Sequence, residues 1–474
     1  MKFRSLLLPL AISFSLGSNA QALKPQQGKT EQPPAPVQAP SSTAQQLYAN
    51  AQQDLLQLRV LTKSGNSQSS VGSGFLIGTS NLVVTNYHVV SQIALEPDIY
   101  FGEYKDTKGK SGAIELLAVD VLHDLAVVRV NINGTGFFNV PFTAGDQPQP
   151  ALAPLQQGQH LYSLGNPLDL GFTISEGTYN GESHRGFSAQ LMFTGPVNPG
   201  MSGGPNVTAS GHLAGVNVAH RRDGELVSFL VPAMYVQQLL AKVSPDMKPP
   251  KDFNPTIGEQ LLQHQTVMVD KLLEKPFSIK QLGPYQVPVR ESEQVRCWGN
   301  TDNSEKKAYS IDSINCSMES AIFVSGELQT GHLSMHHKFA QNKKLNTMQF
   351  AKLATNLYNG QVYSTAKSET ITPAYCTEDF IAHKNISLRA LVCTEAYHKF
   401  KELYDFTLIT ASTDDSEKSL QSMINIQGVS YANGVKLITE FLQGIDRTAV
   451  NDTSPKDVPT SLPTSSANPT EAAQ

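Results

Sequence analysis

The eight residues NPGMSGGP, Asn198 to Pro205, place three glycines and two prolines around one serine, Ser202. A serine hydroxyl is a poor nucleophile until a base takes its proton and donors stabilise the oxyanion that forms on the substrate. The chain holds candidates for both tasks. The backbone N–H groups of Gly200 and Ser202 can converge on one point as an oxyanion hole, because Gly200 lacks a Cβ and can take the turn required. Gly203 and Gly204 let the backbone pass close beneath the site into a following strand, and Pro205 opposes a helix there. Among the 12 histidines, His88 closes the strongly apolar run LVVTNYHVV, which would hold it rigidly at the rim of a β-structure. Asp124, in HDLAVVRV, stands directly before another apolar strand, where its carboxylate could accept from the imidazole N–H and fix the tautomer. Asp120, ahead of a less regular run, is the reserve for that role. The chemistry on offer is nucleophilic acyl transfer, with His88 as base, Asp124 orienting it and Ser202 attacking.

Three groups from distant segments need a stiff scaffold, and the text around them supplies one. From about residue 56 come six β-rich runs separated by Gly, Asn and Asp: LQLRVLT, VGSGFLIG, NLVVTNYHVV, DIYFGEY, AIELLAV and DLAVVRV. After a Pro- and Gln-rich connection from Asp146 to Gly158, a second set follows: GQHLYSLG, FTISEGTYNG, AQLMFTGPV, GHLAGVNVAH and LVSFLVP. MYVQQLLAKV then has the spacing of a closing helix. The expected fold is mainly β, two six-stranded antiparallel barrels followed by a separate α+β domain. That domain is placed at residues 255–446, after the break KPPKDFNP, with helices in TMQFAKLATNLY and GVKLITEFLQGI and hairpin-like strands in AIFVSGELQTGHLSMHHKF.

Residues 1–22 have a basic start, an apolar run and the small-residue pattern Ala20-Gln21-Ala22 of a secretory signal peptide. The apolar run is shorter than the roughly 20 residues a bilayer span needs, so an exported chain, periplasmic or secreted, with no stable membrane span is expected. Residues 23–44 read as a flexible leader and 447–474 as a disordered tail. With 36 Lys and Arg against 41 Asp and Glu, the net charge of −5 offers none of the basic excess that nucleic-acid binding requires. The four cysteines, Cys297, Cys316, Cys376 and Cys393, are an even number in a chain read as exported, and suggest two disulfides. Pairing of sequence neighbours, Cys297 with Cys316 and Cys376 with Cys393, is preferred because each pair flanks a plausible hairpin or short helix. The absence of C-x-x-C speaks against zinc. His332, His336 and His337 in HLSMHH have no carboxylate or cysteine companion and alternate like a strand, so neither a metal nor a cofactor is expected.

The segments GSGFLIG, TNYHVV, DLAVV, NPGMSGGP and HLAGVN resemble, in order, those of trypsin-like serine peptidases, and most of all the HtrA (Deg) branch. The resemblance covers about residues 45–245. It implies a peptidase domain with His88, Asp124 and Ser202 as triad, the Gly200 and Ser202 amides as oxyanion hole, and protein or peptide substrates. GMSGG also fits the G-x-S-x-G pattern of α/β-hydrolase esterases, but that fold orders its triad Ser, Asp, His and sets the serine between a strand and a helix. In trypsin-like geometry the specificity pocket would have its floor near Pro196 and one wall at Gly215, Val216 and Asn217, stretches without Asp or Glu, which implies aliphatic preference. Met201 stands where zymogen-type members carry an aspartate, so an ion pair with a new N-terminus cannot order the oxyanion loop. The PDZ pattern usual after HtrA domains is not found in 255–446. A catalytically silent, peptide-binding scaffold is the alternative, and the oligomeric state is open.

Overall fold

The computed structural model describes residues 41–140, 154–220, 227–359 and 369–448. The expected signal peptide, most of the leader and most of the tail lie outside them. The helix α1, Ser42–Ala51, leads in, with the Ser41 side chain accepting from the Ala44 N–H as its N-cap.

Seven strands then form one antiparallel sheet: β1 Leu55–Thr62, β2 Gln68–Leu76, β3 Leu82–Thr85, β4 Tyr100–Asp106, β5 Ser111–Ala113, β6 Glu115–Asp120 and β7 Leu125–Arg129. Their spatial order is β5-β4-β1-β2-β3-β7-β6. The sequence reading has six here; the short β5 pairs with β4 before the chain turns into β6. The larger difference lies in NLVVTNYHVV, read as one strand. The strand stops at Thr85, and Tyr87–Leu95 is a helix, α2, with His88 in its first turn.

Six strands, β8 His160–Gly165, β9 Thr173–Ser183, β10 Gln190–Thr194, β11 Pro205–Thr208, β12 Leu213–His220 and β13 Ser228–Pro232, close into a barrel in the order β10-β13-β12-β11-β8-β9. The helix α3, Ala233–Leu240, returns from it and packs on β6, β7, β12 and β13.

Beyond residue 250 comes α4, Asn254–Leu273, a 20-residue helix that the sequence reading did not pick out. Its buried stripe, Ile257, Leu261, Met268, Val269 and Leu272, is interrupted by a buried Gln265. That amide is put to use: its Oε1 accepts from the Ser430 N–H and from Asn433, at the start of a later helix. Two strands, β14 Ser278–Leu282 and β15 Tyr285–Val289, precede β16 Val295–Asp302 and β17 Tyr309–Met318. A hairpin, β18 Ile322–Ser325 and β19 Leu328–Thr330, then leads to β20 His332–Asn342 and the helix α5 Thr347–Asn359. The chain ends with β21 Tyr375–His383, β22 Ile386–Ala396, β23 Tyr404–Ser412, β24 Lys418–Val429, the helix α6 Tyr431–Gln443 and β25 Asp446–Arg447. β16, β17 and β20 to β24 make a second seven-stranded sheet, ordered β16-β17-β20-β24-β23-β22-β21. Cys297 faces Cys316 across β16 and β17, and Cys376 faces Cys393 across β21 and β22, and both pairs are disulfide-bonded, the pairing preferred from the sequence. The expected tail boundary at 447 falls inside β25, where Arg447 pairs with Asp414 and Asp415.

The C-terminal region is not free of the N-terminal one. Phe253, Ile257, Leu261, Ile322, Val324, Leu328, Tyr397 and Phe400 are buried in the same core as Leu56, Val83, Tyr87, Val90 and Val128 of the first sheet. At the foot of the β18–β19 hairpin, Thr330 Oγ1 and Tyr397 Oη lie 2.6 Å apart, and Tyr397 donates to Asp405 Oδ1 at 2.7 Å. Burial drives the Asp405 carboxyl up to about 7, against the hydrogen bonds from Tyr397 and the Gly428 N–H that favour its charged form.

Candidate active site

Asp124 sits in the turn between β6 and β7 with φ +54, a left-handed backbone that Asp tolerates better than most residues. Its backbone carbonyl accepts from the Tyr87 N–H at 3.1 Å and from the Asn86 side chain at 2.8 Å, which holds the turn against the start of α2. Its carboxylate spans two groups of one residue. Oδ1 accepts from the His88 backbone N–H at 2.8 Å, and Oδ2 lies 2.7 Å from His88 Nδ1. The first bond caps α2, whose own N-cap, Asn86, makes no side-chain capping bond. A carboxylate there also meets the positive end of the helix dipole. The second bond sets the proton on Nδ1 and leaves Nε2 as the basic nitrogen. Burial pulls the His88 pKa down, yet the charge of Asp124 and the hydrogen bond to it outweigh that and hold it above the ordinary histidine value.

The reserve candidate, Asp120, is taken by another partner: its Oδ2 lies 2.7 Å from His123 Nδ1. His123 in turn stacks on Tyr235 with ring centroids 3.7 Å apart.

Ser202 lies in the loop between β10 and β11. Gly200 has φ +93, and a Cβ there would stand 2.4 Å from the Asn166 carbonyl oxygen. Only glycine fits that approach. Met201 is buried among Leu161, Tyr179, Leu191, Phe193, Val197 and Leu230, so an apolar anchor inside the barrel orders the loop where the ion pair is missing. Among the described residues, neither the Gly200 nor the Ser202 N–H has an acceptor within the protein, which leaves both donors free. The Ser202 hydroxyl donates to the Val218 carbonyl at 2.7 Å, and no hydrogen bond joins it to His88. In a resting site such bonds are often unmade and form only with substrate.

Ser73, on β2, lies within GSGFLIG, where no local pattern marks it for a role. Its N–H donates to the Ser202 carbonyl at 2.8 Å, and its hydroxyl donates to the Gly200 carbonyl at 2.7 Å while accepting from the Asn166 N–H at 2.9 Å. One residue of the first sheet thus pins both ends of the Gly200–Ser202 turn. The residues expected to form the wall of the specificity pocket lie on β12. Gly215, Val216 and Asn217 are buried within the barrel, and Asn217 spends its side chain on Ser163 and the Leu164 carbonyl. Val218 is the half-buried residue of β12 that touches Ser202. Pro196 is exposed, with its carbonyl accepting from Ser175 Oγ at 2.8 Å. The histidines of HLSMHH lie on β20, a strand and not a helix: His336 Nδ1 is 2.8 Å from Asn315, while His337 is buried between Ser422 and the Pro288 carbonyl, its pKa lowered to about 4 mainly by burial.

Residues 72–216 match the family described as trypsin-like peptidase domain. The chain carries a trypsin-like peptidase domain. It is similar to HhoB of Synechocystis sp., described as a putative serine protease, at 29% identity over 180 residues, covering 36% of this chain and 40% of that protein. It is similar also to a probable periplasmic serine endoprotease, DegP-like, of Brucella suis, at 31% identity over 179 residues, covering 36% of this chain and 32% of the other. The chain therefore spans two fifths or less of the length of these curated relatives. A serine endoprotease structure from Yersinia pestis aligns at 22% identity and a TM-score of 0.34, covering 43% of this chain and 67% of that one. The match runs from within β2 to within β12, so β1 of the first sheet and β13 of the barrel lie outside it; the relatives identified are HtrA/Deg-like serine proteases. Among the described residues no helix is long and apolar enough to cross a membrane.

Proposed function

We propose that the chain is an exported serine endopeptidase, its peptidase domain spanning about residues 45–245, that cleaves peptide bonds through an acyl-enzyme. The observation that carries this reading is the double use of Asp124, which fixes both the helix bearing His88 and the tautomer of its ring. In the reaction His88 Nε2 takes the Ser202 proton as Oγ attacks the scissile carbonyl, the Gly200 and Ser202 amides hold the oxyanion, and His88 returns the proton to the leaving amine. Water then hydrolyses the acyl-enzyme by the same route. Export is supported by the character of residues 1–22, and the Brucella relative is itself named periplasmic. A preference for aliphatic over basic residues at the cleavage site is part of this reading, because Pro196 and Gly215 to Asn217 offer no carboxylate.

A silent scaffold is favoured by one observation, the Ser202 hydroxyl turned to Val218 and away from His88. Against it, a scaffold has no physical use for a dyad, a serine and two free amides together.

The pH profile tests the proposal. The base form of His88 is needed, and its pKa stands above the ordinary value, so kcat/KM on an unfolded protein substrate should rise with pH to a plateau reached above neutrality. Asp124→Asn should move that inflection down and lower kcat by about 10⁴. A rate that is flat between pH 5 and 8 would exclude a histidine base.

A further inference from the structure

The β18–β19 hairpin lies outside the residues that match the peptidase family, yet it stands against the catalytic groups. Ile322 and Val324 are buried in the core shared with α2, and Phe323 between them is half-buried and packs at the edge of the same core. Its ring meets the His88 ring edge-on, centroids 6.1 Å apart, and the Tyr87 ring at 6.4 Å. The hairpin is tied to the helix that carries the base: the buried Tyr87 hydroxyl donates to the Val324 carbonyl at 2.9 Å. Thr330 fixes the other strand through Tyr397. Phe323 is therefore a fixed wall of the cleft rather than a swinging lid.

Behind that wall is a cavity of about 180 Å³, bounded by Phe323, Ile322, Val218, Val121, Val231 and Ala189 together with Asp124 and His123. Val218 lines the cavity, and its backbone carbonyl accepts from the Ser202 hydroxyl. Asp124 and His123 at its edge are already engaged, Asp124 by His88 and His123 by Asp120. Ser188, Gln190 and Tyr235 also line it, so its apolar part is the side formed by Ile322, Phe323, Val218, Val231 and Ala189, in a recess of a size for one side chain.

We infer that Phe323, with Ile322, Val218 and Ala189, forms a substrate subsite for one apolar side chain neighbouring the scissile residue, so that the C-terminal region sets part of the sequence selectivity. The inference rests on the peptidase reading above. A peptide bound with its carbonyl at Ser202 would lay the adjacent side chain across Val218 against the face of Phe323. Leu, Val or Phe there would bury apolar surface that Gly cannot.

The test compares kcat/KM of the full-length protein on two peptide series, varied only at the residues flanking the scissile one, with Leu, Phe, Ala or Gly. Wild type should favour Leu or Phe over Gly at one position. Phe323→Ala should lower that ratio about tenfold at that position alone. Ala189→Leu fills the recess from its other side and should turn the preference toward Gly; it decides the matter if Phe323→Ala does not fold. A wild type without preference at any flanking position, or an unchanged ratio in the folded variants, overturns the subsite. A wild type that neither cleaves nor reacts with a fluorophosphonate overturns the peptidase reading and this inference with it, whereas one that reacts and cleaves with unchanged ratios overturns the subsite alone.

Discussion

Ser202→Ala should abolish cleavage of an unfolded protein substrate, lowering kcat by about 10⁴ or more, while the protein unfolds at nearly the wild-type temperature. The two halves of that expectation have separate causes. The substitution removes the nucleophile, and members of a triad act as a unit, so losing one costs about as much as losing all. The fold loses only one hydroxyl, whose single bond is to the Val218 carbonyl, worth about 1 kcal/mol. Ser73 continues to hold the loop through backbone atoms that the change does not touch. Activity on the substrate, and the thermal midpoint by circular dichroism, give both readings from one preparation. A loss of only a few-fold would mean that another group attacks.

Gly203→Ala should be the most damaging single methyl in the catalytic region. The residue has φ +83, and its Cβ would stand 2.2 Å from the Ser73 carbonyl oxygen, 2.3 Å from Thr85 Oγ1 and 2.9 Å from the Asn86 N–H nitrogen. Two of those atoms are backbone, and both belong to strands or caps that fix the site, so relief has to come from moving β2 or the start of α2. The expected cost is about 3 kcal/mol or more in urea unfolding, and a displacement of about 1 Å at His88 or Ser202 would take a further hundredfold from kcat. Gly78→Ala is the control. That glycine also has positive φ, at +58, but nothing lies within 4 Å of its Cβ position, so only the backbone strain of about 1 kcal/mol should appear. Equal stability of the two variants would show that the packing under Ser202 is looser than described.

The candidate residues were more legible in the sequence than the scaffold that positions them. Ser202, Gly200 and Asp124 announce themselves because a glycine frame and an aspartate beside an apolar strand are local signals. His88 was found for a reason only half right. Its neighbours Val89 and Val90 read as strand because β-branched residues favour it, yet a carboxylate 36 positions away caps the turn and makes it a helix. No local pattern encodes that. Ser73 was invisible for the same reason, since its worth lies in bonds to Asn166, Gly200 and Ser202. Gly215, Val216 and Asn217 lie on β12 as expected, but which residues of a strand in a closed barrel face the mouth has no sign in the sequence. Helix α4 escaped notice where Gln265 breaks its apolar stripe, and no local pattern marks the buried core that its residues share with the first sheet.

Reaction with a fluorophosphonate tests the central claim most directly, because that reagent phosphonylates a serine only where a base and an oxyanion hole act on it together. The full-length protein, incubated at pH 8, should gain the mass of one phosphonyl group, located by peptide mapping on Ser202. His88→Ala should suppress the gain and Ser202→Ala should abolish it. An unmodified wild-type protein, or a label found on another residue and retained in Ser202→Ala, would contradict the assignment of His88, Asp124 and Ser202 as a working triad.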